Sequence, residues 1–104
     1  IRIINSYKYL CEEKHEYILS KQLLRSGTSI GANVKEAIRG QSKDDFIHKL
    51  NISLKEASES EYWIELLFET DYITKQQFDN LIGDCRELIK LLTSIIKTSR
   101  KEGK

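Results

Sequence analysis

No proline occurs anywhere in the 104 residues, and only five glycines do. Proline lacks the N–H that a helix interior needs and clashes with the preceding turn, so its absence lets helices run long. An all-β chain would need many more turn residues. Apolar residues recur three and four apart along most of the chain, which is the period of one helix face. The expected class is all-α, and the length suits one domain over 1–104, not two.

The periodicity divides the chain into helices at about 1–13, 17–39, 43–70 and 75–99. The first carries Ile4, Tyr7, Leu10 and Cys11 on one face and ends at the polar break Lys14–Glu16. The second carries Leu19, Leu23, Ile30, Val34 and Ala37, and Gly40 suits its C-terminal stop. Ser42 is placed to cap the third helix, with Asp44 and Asp45 near the positive end of its dipole. The third helix, roughly 42 Å long, presents Phe46, Leu50, Leu54, Ala57, Ile64 and Phe68. Thr74 and Gln77 make a capping box for the fourth, which follows Phe78, Ile82, Cys85, Ile89, Leu92 and Ile96. Residues 100–104 are expected to fray. Short connections and near-heptad spacing predict a left-handed up-down-up-down four-helix bundle.

The charges nearly cancel, 17 Lys and Arg against 16 Asp and Glu, which argues against a globally basic nucleic-acid binder. The average hides segregation. Glu56, Glu59, Glu61, Glu65, Glu69 and Asp71 form a run without a basic residue, whereas the tail beyond Arg86 is basic. Cys11 and Cys85 stand alone in apolar patterns and read as buried thiols of a reducing, cytoplasmic compartment. No apolar stretch approaches the roughly 18 residues of a membrane span. No secretory signal pattern opens the chain; it begins at Ile1, so an initiator and some leader are expected before it.

Catalytic and metal chemistry find little support. Ser26 and Ser29 have no His at hand, since His48 belongs to another helix nearly two turns away in height. Glu12-x-x-His15 matches half of a carboxylate-bridged dimetal motif, but once only and at a helix end. No phosphate-cradling glycine loop precedes a helix. The expectation is a non-enzyme without catalytic residues, metal or cofactor.

Two surface features are more informative. Lys21, Arg25, Lys35 and Arg39 fall within about 80° of arc on the second helix, and Lys97, Arg100, Lys101 and Lys104 follow in the tail. They are candidates for nucleic-acid phosphates, against the plainer role of a solvated face with cations at a helix C-terminus. No aromatic is interleaved with the cations of the second helix, so contact with RNA or DNA there should be sequence-tolerant. Second, Ile52, Trp63, Leu66 and Leu67 on the third helix and Leu88, Leu91 and Ile95 on the fourth widen the apolar surface. They are candidates for a subunit interface with Trp63 as anchor, although each helix of a bundle already has two neighbours.

The stretch Arg25–Glu36 is rich in small and hydroxyl residues, and its two glycines each cost a helix about 1 kcal/mol. Arg25, Ser29, Asn33 and Glu36 share one side of the helix. Antiparallel pairing about the Gly40–Ser42 turn sets Arg25 level with Glu59, Ser29 level with Lys55 and Glu56, and Glu36 level with His48 or Lys49. These residues are expected to form a polar network, with an Arg25–Glu59 ion pair, within or between subunits, that specifies register.

The run Gln22–Glu36, with its Arg-Ser-x-x-Ser-Ile-x-x-Asn-x-x-Glu order, is followed by Asp45-Phe-Ile-His-Lys-Leu, Lys55-Glu-Ala-Ser-Glu and Tyr62-Trp63. Over residues 22–67 it resembles the bacterial four-helix-bundle proteins encoded in intervening sequences of 23S ribosomal RNA genes. The resemblance implies a left-handed bundle that assembles as a homopentamer and whose biochemical role is largely unassigned. Accessory variability proteins of diversity-generating retroelements are related in fold and pentamer; they bind nucleic acid and a reverse transcriptase through a basic surface. The present chain departs from them in being nearly neutral. The expected function is an oligomeric scaffold and candidate RNA-binding accessory protein. The alternative is a protein-interaction or structural assembly module that binds no nucleic acid.

Overall fold

Four helices make up the computed structural model, which describes residues 1–102: α1 (Arg2–Glu12), α2 (Leu19–Ile38), α3 (Lys43–Glu69) and α4 (Lys75–Glu102). Among the described residues there is no strand. α4 runs three residues past its expected end, so Arg100 and Lys101 are helical. Cations in a last turn complement the negative end of the helix dipole and favour this extension. Lys104 lies outside the described residues.

Each connection satisfies the helix ends in a different way. The expected polar break before α2 contains a buried carboxylate: Glu16 accepts from the N–H groups of Ile18 and Leu19 at 3.0 Å and of Ser20 at 2.7 Å. It thus occupies the donors that a helix N-terminus leaves open. Ser42 Oγ accepts from the Asp45 N–H at 3.1 Å and starts α3. Between α3 and α4, the Tyr72 N–H donates to the Leu67 carbonyl at 2.9 Å and the Asp71 N–H to the Phe68 carbonyl at 3.1 Å. This is a Schellman closure, with Asp71 at φ 66° where glycine is usual. Thr74 and Gln77 then cap α4 reciprocally at 2.8 and 3.1 Å.

Neighbouring helices run antiparallel. Arg25 meets Glu59, Ile30 meets Ser53, and Glu36 meets Lys49, so α3 numbers fall as α2 numbers rise. Cys85 meets Ala57 and Phe78 stacks on Phe68 in the same sense between α3 and α4. α1 lays the Ile3 side chain over Gly27 of α2, filling the space a Cβ would take there.

The buried line of α3 differs from the expected one. It is Leu50, Ser53, Ala57, Ser60, Ile64 and Leu67, a strict three-four alternation, whereas Phe46, Leu54 and Phe68 flank it half-buried. Two serines therefore occupy core positions. The core itself is in two parts. One gathers Leu10, Leu23, Ile64, Leu67, Leu81 and Ile82 around α1. The other gathers Ile30, Ala37, Leu50, Ala57, Leu92 and Ile96. With only 11 residues, α1 reaches just the first part of a body whose Cα extents are 50 × 21 × 17 Å.

Candidate functional site

The α2–α3 contact is a seam of small residues. Ser26 and Ser60 are completely buried and their hydroxyls lie 2.7 Å apart. Ser60 Oγ also lies 2.9 Å from the Glu56 carbonyl, and Ser53 Oγ donates to the Ile30 carbonyl at 2.9 Å. Among the described residues no buried side-chain polar atom lacks a partner. Satisfied hydroxyls carry little desolvation cost, and their small volume lets the two helices close. Hydroxyl residues count as polar in the apolar period, so these serines do not stand out in the sequence as core. The signal was their three-four spacing with Leu23, Ile30, Leu50, Ala57 and Ile64.

Beside the seam, Arg25 forks to two carboxylates, Glu59 and, at 3.2 Å, Glu56. Glu59 also accepts from the Trp63 indole N–H at 3.2 Å. Asn33 donates to the Ser29 carbonyl at 2.9 Å and lies 3.2 Å from its hydroxyl, entirely within α2. Glu36 pairs with Lys49 at 3.2 Å. The expected stripe is thus three separate groups. Ser29 bonds locally to Asn33, and no bond links it to Glu56.

The candidate cations part company as well. Arg25 is held by carboxylates. Lys21, Lys35, Arg39, Lys97, Arg100 and Lys101 are exposed and have no ion-pair partner among the described residues. The end of α2, the start of α3 and the end of α4 share one end of the molecule, so Lys35, Arg39, Lys43, Lys97, Arg100 and Lys101 gather there. Lys21 lies toward the other end, where Glu12, Glu13, Glu65, Glu69 and Asp71 belong. Asp44, Asp45 and the Lys49-paired Glu36 share the cationic end, so the separation along the long axis is a net excess of cations there.

The candidate interface residues divide by burial. Leu67 is sealed in the chain's own core and offers no surface. Trp63 packs against the first core cluster, and Leu88 and Ile95 against the second. Ile52 and Leu66 are half-buried, and Leu91 is 55% exposed. Tyr62, exposed next to Trp63, meets its ring edge-on.

Cys11 and Cys85 are free thiols. Burial pushes the Cys85 thiol up to about 11, helped by Glu61 and Glu65 and opposed by Arg86, so it stays protonated and unreactive near neutrality. Among the described residues no three His, Cys, Asp or Glu side chains converge to hold a metal. Glu12 and His15 are both exposed, and His15 Nδ1 lies against the Tyr17 hydroxyl at 3.2 Å. No helix among the described residues is long and apolar enough to cross a membrane.

Four helices, two of them closed on each other through a serine seam, with an excess of cations at one end, define a small all-helical protein. The chain belongs to the 23S rRNA-intervening sequence protein family, whose model matches residues 1–94. The likeness therefore extends well beyond the motif-bearing 22–67. A crystal structure of a protein of unknown function from the S23 ribosomal protein family of Bacteroides thetaiotaomicron is 59% identical. It superposes with a TM-score of 0.91 over 92% of this chain and 86% of that one. No curated protein matches.

Proposed function

We infer that this protein is a non-enzymatic, cytoplasmic, oligomeric scaffold whose cationic end binds the phosphates of RNA. The observation that carries this is the gathering at one end of the chain of Lys35, Arg39, Lys97, Arg100 and Lys101, cations with no ion-pair partner among the described residues. Antiparallel neighbours support a single up-down-up-down domain, left-handed by its near-heptad spacing. The family likeness supports a homopentamer, in which Leu91, with the half-buried Ile52 and Leu66 and with the exposed Ile18, Ile38 and Tyr62, offers apolar surface to a neighbour. Five copies would repeat the cationic end, and multivalency raises phosphate affinity without raising the charge of one chain.

The test is a salt titration of RNA and duplex DNA binding beside light scattering for mass. Expected are a particle of several chains and an affinity whose logarithm falls linearly with log salt. Charge reversal at Lys97, Arg100 and Lys101 should abolish binding and leave the mass unchanged. No affinity for any nucleic acid at low salt would refute it. A second reading, a protein-assembly module without nucleic acid, is favoured by the exposure of Leu91 and Ile38 at 55% and 72%. Intact assembly with no phosphate affinity would select it.

A further inference from the structure

A cavity of about 360 Å³ opens between α3 and α4 at the cationic end. That is the small end of the range for ligand pockets. Leu54 and Ile96 line it with apolar surface, and Asn51 and Thr93 add polar groups. Lys97, Arg100 and Lys101 complete the lining, and among the described residues no carboxylate is part of it. Cations at a helix C-terminus ordinarily answer the helix dipole. That role needs neither a concave apolar floor nor an amide beside it, and Lys97 stands more than a turn from the end of α4.

We propose that this cavity takes one unpaired nucleotide, its base against Leu54 and Ile96 and its phosphates on Lys97, Arg100 and Lys101. This rests on the phosphate-binding function above and adds to it a preference for single strands. The Asn51 amide offers a donor and an acceptor side by side, the pattern that pairs with a base edge. The Thr93 hydroxyl already donates to the Ile89 carbonyl at 2.7 Å, so it is left to accept from an exocyclic amine. A base within a duplex keeps its faces stacked and its pairing edge engaged, so only an unpaired nucleotide can enter. The nucleotide is either free or part of a strand, and the phosphate-plus-base chemistry is common to both. With aliphatic walls and no aromatic platform, the base adds discrimination more than affinity.

The experiment uses the full chain and three probes at one salt concentration: cytidine monophosphate, a labelled cytidine-containing single-stranded RNA and a blunt RNA duplex of equal length. Single strand should bind more tightly than duplex, and the nucleotide should shift the Asn51 side-chain amide resonances. Asn51→Leu and, independently, Thr93→Val should each narrow the single-strand preference by roughly three- to tenfold, the value of one hydrogen bond. Lys97→Gln with Arg100→Gln should weaken both RNAs and lower the single-strand salt slope by about 0.7 per lost phosphate contact. If strand shifts the amide and free nucleotide does not, the site reads a chain. Shifts from both assign it to either source. Equal binding of single strand and duplex, unmoved by Asn51→Leu and Thr93→Val, would overturn the nucleotide pocket and leave phosphate binding standing. No binding of any probe would overturn both.

Discussion

Ser26 of α2 and Ser60 of α3 touch hydroxyl to hydroxyl at 2.7 Å, with no exposure to solvent. At this point the two longest-paired helices have neither a large side chain nor a charge between them. Ser60 has a second partner in the Glu56 carbonyl and Ser26 a longer one, the Leu23 carbonyl at 3.3 Å. Removing one hydroxyl strands part of the other; removing both strands nothing. Ser26→Ala and Ser60→Ala should each cost about 1 kcal/mol, and the double variant less than their sum. Ser26→Leu should cost more, about 1–3 kcal/mol, because the seam has no room for it. Urea unfolding of the four variants measures all of these, and strict additivity would contradict the shared bond.

The Arg25 fork is half-exposed, and exposed ion pairs contribute little. Arg25→Ala should therefore lower stability by no more than about 1 kcal/mol. Arg25→Glu should do worse, because it sets a third carboxylate beside Glu56 and Glu59. Partial recovery in Arg25→Glu with Glu59→Arg, measured by denaturant midpoint, would show that the pair selects register.

Asp71 holds a left-handed conformation that glycine adopts without a Cβ penalty. Asp71→Gly should stabilise the α3–α4 connection by up to about 1 kcal/mol. The melting temperature should rise by a few degrees. A fall would mean that the Asp71 side chain contributes something the turn geometry does not reveal.

Cys85 provides a pH signature. Its thiol is raised from an ordinary 9.0 to about 11 by burial first and by Glu61 next. Between these values the unfolded chain has released the proton and the folded chain keeps it. The folded state then binds more protons, so stability falls as pH rises across that window. Below pH 9 the term is absent. Relative to Cys85→Ala, the wild-type chain should lose stability from pH 9 to pH 11, as followed by chemical denaturation. Parallel curves for the two proteins would rule this out.

Much of the chain's local structure was written in short-range patterns. The Ser42 cap, the Thr74–Gln77 box and the ends of α2 and α3 follow from neighbouring residues, which suffice for a helix terminus. The height relation between Arg25 and Glu59 followed from one turn and one rise per residue. Glu16 was less legible. In sequence it is one polar residue in a polar break, and only the chain reversal after α1 aims its carboxylate at three N–H groups of α2.

The candidate sites were legible as residue types and not as groupings. That Lys35, Arg39, Lys97 and Arg100 are cations is plain from the chain. That the first two and the last two share an end, while Arg25 is withdrawn by two carboxylates, depends on antiparallel packing. Leu67 shows the same limit: an apolar residue on a flank can face a partner subunit or its own core, and here the core encloses it.

A Pro-free chain with a three-four apolar period could become little other than long helices, because backbone hydrogen bonding within a helix is local and each residue casts its vote where it stands. Which serines are buried, which charges cancel and which remain free depends on contacts between residues 20 to 80 positions apart. Those contacts are chosen by the fit of whole helix faces, and no window of sequence contains them.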